Sequence, residues 1–380
     1  MTSAAGQHTQ TISPIVTSSV AEWMSDSPDD KLFETPVKTY ARYVWKKWLF
    51  MFVCLTIAFV VMGLALTLGT YHISFTNTYV TIWNHFTGHV VNETYDRVIF
   101  DLRLPRICVG AVAGAGLAVA GAAMQSTLKN PLADPYTTGV SAGASLGATL
   151  AIAVGFTIIP GGLGLIGNAF IFALIPTAIM VVISRHQNAS PTTMIMAGIA
   201  VMYLFNAITT LVKMWSSPDD LQALYFWEVG SLGSAKWDDL LAMLPIVMAG
   251  IIVIQLLSRQ LNVIAAGDDN AKALGVNAKQ LRTVCLLVVA LMTASIVSFT
   301  GLIGFVGLIA PHVVRIIIGA DNRYLVTASA VFGIALLLAA DLIGRTILAP
   351  TIIQVGVVMA FLGGPMFLYL ILRKNTKVWG

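Results

Sequence analysis

Charge is what this sequence has least of. Only 11% of its 380 residues are Asp, Glu, Lys or Arg, 57% are hydrophobic, and the mean hydropathy is +0.81. A soluble domain carries charge on roughly a quarter of its residues, so that class is excluded. Cysteine is also scarce: Cys54, Cys108 and Cys285 each sit alone in an apolar run, without Cys-x-x-Cys spacing. They read as packing residues, neither a disulfide framework nor a metal site. A Gly-x-x-x-x-Gly-Lys-Ser/Thr phosphate loop is missing, so the chain has no nucleotide site of the usual kind. His-Glu-x-x-His and equivalent catalytic sets are missing too, which argues against an intramembrane enzyme. His85 and His89 are four apart and would share a helix face, but they read as surface polar residues. The apolar runs are nearly free of ionisable groups, since Lys213, Asp341 and Arg345 fall towards predicted ends. That weighs against the main rival, a secondary transporter driven by an ion gradient, which needs such groups at mid-membrane.

What the sequence does have is long apolar runs. Within lipid only helices and closed barrels satisfy their backbone, and runs of about 20 residues are helical rather than barrel-like. Hydropathy predicts about ten spans, at roughly 48–69, 104–127, 137–157, 163–184, 193–214, 239–258, 281–299, 303–318, 325–346 and 353–372. The eighth looks short for a full crossing. The fold class is therefore an all-α membrane protein, a polytopic bundle of about ten transmembrane helices. Gly110 and Gly114, then Gly139, Gly143 and Gly147, recur at four-residue spacing and mark faces where helix backbones approach.

Residues 1–45 are polar and rich in Ser and Thr, with Asp26, Asp29, Asp30 and Glu34, and are expected to be a disordered cytoplasmic tail. No cleavable signal is visible, so the first apolar run is expected to act as an uncleaved anchor. Residues 46–375 form the transmembrane domain, with a cytoplasmic loop at 259–280. With an even number of spans both termini share a side, and sixteen of the 22 basic residues fall on that side. The excess of Lys and Arg places both termini in the cytoplasm.

Three segments stand out. After the second span, Asn130-Pro131-Leu132-Ala133-Asp134-Pro135 forces an irregular loop able to change shape. Gly267-Asp268-Asp269-Asn270-Ala271-Lys272-Ala273-Leu274-Gly275 reads as a short helix with an acidic first turn and a glycine stop. Ala271 and Leu274 on one face would make a docking surface; the alternative is a surface helix finishing a long loop. Finally, Thr300 to Arg315 is followed by Ala340-Asp341-Leu342-Ile343-Gly344-Arg345, where Asp341 and Arg345 are spaced to pair. His312 reads as a packing histidine.

Taken in order and spacing, residues 102–147, the segment from Trp227 to Leu240, the 267–276 helix and the 301–345 block resemble the permeases of binding-protein-dependent ABC importers for iron(III) siderophores, heme and cobalamin. The resemblance spans about residues 48–374. It implies the type II ABC importer permease fold, a homodimer in the cell membrane, two separate ATPase subunits that hold the ATP and Mg, and an extracytoplasmic substrate-binding protein. No cofactor, metal or nucleic acid is implied for this chain, and an iron(III) siderophore is the favoured cargo. Asp268, Ala271, Leu274 and Gly275 would couple to the ATPase. Asn130 and Leu132, with Ser190, Pro191 and Thr192, would form the cytoplasmic gate. Arg103, Arg106 and Arg345 would dock the binding protein, guanidinium being suited to bidentate carboxylate contact. Two departures from the family pattern are Gln354, where Glu-Leu-Pro is common before Val-Gly, and Pro191 in the gate.

Overall fold

A computed structural model describes residues 30–69, 71–186 and 191–372. The expected tail up to residue 29 and the gate candidate Ser190 lie outside the described residues. The chain divides into a unit ending at Leu49 and a unit from Phe50 onward. In the first, Lys47 Nζ lies 4.0 Å from the centre of the Tyr43 ring.

Every regular element among the described residues is helical. In chain order they are α1 Asp30–Thr67, α2 Phe75–Phe86, α3 Glu93–Arg97, α4 Leu104–Leu128, α5 Val140–Ala153, α6 Gly164–His186, α7 Pro191–Lys213, α8 Pro218–Glu228, α9 Trp237–Ala265, α10 Asp268–Ala273, α11 Ala278–Thr300, α12 Val306–Ile318, α13 Asn322–Thr346 and α14 Val355–Leu372. A π-helical stretch, Val98–Arg103, joins α3 to α4. Among the described residues seven helices are long and apolar enough to cross a bilayer, and α5, α12 and α14 are shorter apolar helices. These ten correspond to the ten expected spans.

The central element is α4, with its residues from Ala113 to Leu128 almost all buried. Its small side chains let neighbours come to backbone distance: a Cβ on Gly121 would lie 1.8 Å from the Gly307 carbonyl oxygen. The same logic joins α5 to α6, where a Cβ on Gly143 would meet the Phe172 carbonyl oxygen at 2.3 Å. The small-residue spacing seen in the sequence therefore marks real helix contacts.

Successive spans alternate in direction, which gathers the connections at two ends. One end holds 128–139, 265–278 and 318–322, tied together by Arg282 to the Thr127 carbonyl at 3.3 Å, Ser126 to Asn322 at 2.7 Å and Asn262 to Asp321 at 2.8 Å. The other holds 67–104, 213–237 and 346–355, where Trp237 Nε1 donates to the Phe100 carbonyl at 2.8 Å. Two helices at this second end, α2 and α8, escape hydropathy because they are short and broken by polar residues. Both have side-chain caps, from Ser74 to the Asn77 amide and from Ser217 to the Asp220 amide.

The eighth expected span is a half-helix. At 1.5 Å per residue the 13 residues of α12 reach about 20 Å, short of a hydrocarbon core of about 30 Å. The missing depth is covered by an unwound stretch, 301–305. It starts at the second end, where the Ser231 amide donates to the Thr300 carbonyl at 2.8 Å, and delivers Gly307 beside Gly121 inside the bundle. Backbone without helix inside a membrane needs partners from protein. Tyr136 supplies two: its hydroxyl donates to the Ile303 carbonyl at 3.0 Å and accepts from the Ile303 amide at 3.1 Å. Tyr136→Phe should leave that peptide group unsatisfied and destabilise the fold by about 1–3 kcal/mol. Thermal unfolding in lipid nanodiscs reads this directly.

Candidate functional site

At the end that gathers 128–139 and 265–278, α9 stops at Ala265 and the chain turns through Gly267, at φ +129°, into the six-residue α10. Gly275, at φ +75°, ends it in the left-handed region that favours glycine. The Val276 amide donates back to the Ala271 carbonyl at 2.8 Å, closing a compact hook.

The hook departs from the expected docking face in one respect. Ala271 is fully buried in the main apolar core, which also holds Leu128, Leu261, Ile264 and Leu281, so it anchors α10 to its own chain and is not a partner contact. The reason is the helix's brevity: Leu274 leaves helical geometry at φ −88° and ψ 9°, which carries its side chain away from Ala271. Leu274 is 70% exposed, a large apolar side chain held outward. Asp268 is exposed, yet its carboxylate is held by its own chain. Arg282 grips its carboxylate with two bonds of 2.9 and 2.6 Å, and Lys129 Nζ adds a third at 2.8 Å. The bonds from Arg282, and then Lys129, hold the Asp268 carboxyl at about 2, well below its usual range. Its pairing is therefore complete above about pH 4 and is lost only as pH falls towards 2.

Lys129 ends α4 in the left-handed region, at φ 51°, and opens the irregular loop. Asn130 Oδ1 accepts from the Leu132 amide at 3.0 Å and the Asn130 carbonyl accepts from the Ala133 amide at 3.1 Å, a tight turn that leaves Asn130 and Leu132 half-buried. Asp134 then caps the 3₁₀ turn Pro135–Thr138 through the Tyr136 amide. Burial raises its carboxyl to about 6, against the lowering effect of that bond. The turn rests on α7, with the Thr137 carbonyl against Gly198. Pro191 takes the first position of α7, where a missing amide hydrogen is harmless. Thr192 is exposed. The Pro135–Thr138 turn, which follows the first expected gate segment, thus packs on α7, the helix that Pro191 and Thr192 of the second segment open.

At the other end the arginines also depart from expectation. Arg103 and Arg345 are each only 5% exposed and face inward. Arg103 donates to the carbonyls of Leu66, Thr67 and Tyr71, serving the last turn of α1, whose carbonyls have no helical partners. Arg345 Nε lies 3.1 Å from Asp341, and its Nη1 reaches the Ala65 and Leu68 carbonyls at 3.4 Å. Arg106 is bidentate to Asp341, at 3.1 and 2.7 Å. The expected Asp341–Arg345 pair is present, but as part of a cluster in which one carboxylate serves two guanidiniums. All three arginines line a recess of about 180 Å³ with Gly233 and Ile352. As surface docking residues Arg103 and Arg345 are therefore corrected, because backbone carbonyls and Asp341 already claim them.

Two further groups of this end were not foreseen. Lys213 Nζ lies 2.8 Å from both carboxylate oxygens of Glu228, which also accepts from Ser145. These partners are distant in sequence and follow no periodicity. His85 pairs with Asp96 at 2.7 Å and stacks on Phe100, while His89 binds the Thr87 carbonyl, so the two histidines do not converge. A larger recess of about 600 Å³ is lined by Ile152, Phe226, Trp227, Phe299, Thr300 and Gln354 among others. Its walls are aromatic and apolar with a few hydroxyl and amide groups, suited to a large ligand recognised by shape. Gln354, one of the departures from the family pattern, faces it. The three cysteines are free.

A many-span helical bundle with an unwound half-helix, an irregular loop at one end and an anchored hook beside it is a multi-pass membrane transport permease. The chain belongs to the FecCD transport family, whose defining pattern matches residues 55–373. Among its relatives, the hemin transport system permease protein HmuU of Yersinia pestis is 37% identical over 300 residues, covering 78% of this chain and 88% of the relative. The cobalamin import system permease protein BtuC of Halobacterium salinarum is 40% identical over 288 residues, 76% of each chain. A putative metal-chelate type ABC transporter, solved in an inward-facing conformation, shares the fold with a TM-score of 0.74 at 28% identity, covering 84% of this chain and 98% of that one.

Proposed function

We propose that this chain imports a metal chelate, an iron(III) siderophore, heme or a corrinoid, as one half of a homodimer. Two copies of a separate ATPase, which bind the ATP and Mg, drive it from the cytoplasm, and an extracytoplasmic binding protein delivers the cargo. The excess of Lys and Arg orients the α10 end, and with it both termini, towards the cytoplasm. The observation that carries the reading is Leu274: a large apolar side chain is held in water by a hook whose Ala271 is sunk in the core. Such a residue fits a partner surface, and it stands at the end opposite the aromatic recess. Arg106, already bidentate to Asp341, is no freer than Arg103 and Arg345 to meet an acidic group of the binding protein. Relatives named for hemin and cobalamin support a large metal-bearing cargo, and the 600 Å³ recess has room and little polar code.

The test is uptake into proteoliposomes holding the chain with its co-purified ATPase and binding protein, offered ferric hydroxamate, hemin and cyanocobalamin in turn. One of the three should accumulate with ATP inside and continue to do so when proton and sodium gradients are collapsed. Uptake that follows an ion gradient and ignores ATP would return the chain to the rival class of secondary transporter.

A further inference from the structure

We propose that the Asp268–Lys129 pair is the link that carries movement of the α10 hook to the gate loop. This rests on the reading that an ATPase acts on the hook.

The geometry supports a link rather than a simple anchor. The hook is seated by Ala271 and closed by its bond from Val276, so a force on Leu274 moves α10 as one piece. Asp268 lies at its start. One of the two partners of its carboxylate, Arg282, is side-chain buried, sits in the first turns of α11 and also holds the Thr127 carbonyl of α4. The other, Lys129, is the residue at which α4 becomes the gate loop. Oδ1 of Asp268 accepts from both, at 2.6 Å from Arg282 and 2.8 Å from Lys129. One oxygen atom thus joins hook, span and gate.

The two partners differ in kind. Arg282 is rigid, bidentate and buried, as suits a fixed pivot. Lys129 is 28% exposed, with a flexible stem and a single contact, and an exposed pair of this sort adds little stability. Its value lies in position: a left-handed residue followed directly by the Asn130 turn passes a shift of its side chain to Leu132 within three residues. The far end of the same loop is held at Tyr136 by the Ile303 peptide. A pull on Lys129 therefore bends the loop against a fixed end, and does not drag the whole loop along.

The experiment uses the full complex retaining its ATPase in nanodiscs. The native cysteines are replaced, a nitroxide is placed at Leu132→Cys in both copies, and dipolar distances are read without nucleotide and after ATP trapping. Lys129→Ala leaves the Asp268–Arg282 grip and the Ala271 seat in place, so the hook stays folded. It should keep hydrolysing ATP, lose the nucleotide-dependent shift of the label, and transport about tenfold less cargo per ATP. Lys129→Arg should restore both shift and stoichiometry, which a role in folding alone would not predict. A full shift in Lys129→Ala, with the unsubstituted chain also shifting, would overturn the link and leave the importer reading intact. An unsubstituted chain that retains no ATPase and shows no shift under ATP would overturn the importer reading and this proposal with it.

Discussion

Asp341→Ala is expected to be the most damaging single substitution at the α2 end of the bundle. Asp341 is 2% exposed, receives a bidentate grip from Arg106 and lies 3.1 Å from Arg345, with Arg103 lining the same recess. Its removal leaves buried guanidiniums facing one another with no counter-charge. Breaking a buried pair from one side costs about 3–5 kcal/mol, because the stranded charge keeps its desolvation penalty. Thermal unfolding in nanodiscs should show this loss. Arg106→Met and Arg345→Met combined with Asp341→Leu should recover much of it, since apolar replacement of a whole buried ionic cluster is close to neutral. A single Asp341→Ala variant as stable as the parent would mean that water enters the recess freely and the cluster is only nominally buried.

Leu274→Asp is expected to separate the chain from its ATPase while leaving its own fold untouched. The side chain is 70% exposed and the glycine after it opens onto empty space, so nothing inside the chain needs it. If Leu274 is the apolar anchor of the interface, a carboxylate there must be buried without a partner. Loss of a central anchor costs about 2 kcal/mol or more, a fall in affinity of at least about thirtyfold. Co-purification of the ATPase should drop accordingly, with unchanged thermal unfolding of the permease. Ala271→Asp serves as the contrast, since it places charge in the core and should lower both. ATPase retention by Leu274→Asp at the parental level would remove Leu274 from the interface.

The contrast between Ala271 and Leu274 also shows where sequence reasoning stops. Long spans are legible because hydropathy integrates over some 20 residues, and α4, α6, α7, α11, α13 and α14 begin and end within about three residues of the expected limits, whereas α9 runs on to Ala265, past its expected end at 258. The irregularity of the loop at Asn130 is legible from its prolines. A six-residue helix offers less than two turns, too few to fix a face, so Ala271 and Leu274 could not be sorted into inner and outer. The arginines illustrate a different limit. Arg103 is explained by carbonyls at Leu66 and Thr67, and a backbone carbonyl carries no residue-type signal. Arg106 is explained by Asp341, 235 positions away, a partner visible only once α4 and α13 are packed side by side. Asp341 and Arg345, four apart on one helix, could be read as a pair. That a second arginine shares the carboxylate could not.

The unwound stretch before α12 bears on how the chain enters its membrane. A segment of 13 helical residues preceded by five in irregular backbone is too short to be held by lipid alone. Its polar backbone at Ile303 is answered by Tyr136, a residue synthesised some 167 positions earlier, and its close approach at Gly307 is answered by Gly121. The segment from Thr300 to Ile318 therefore depends on α4 and the Tyr136 turn for both its close packing and its backbone partner. The Tyr136 turn, which directly follows the Asn130 loop, is thus also the support on which this half-crossing is seated.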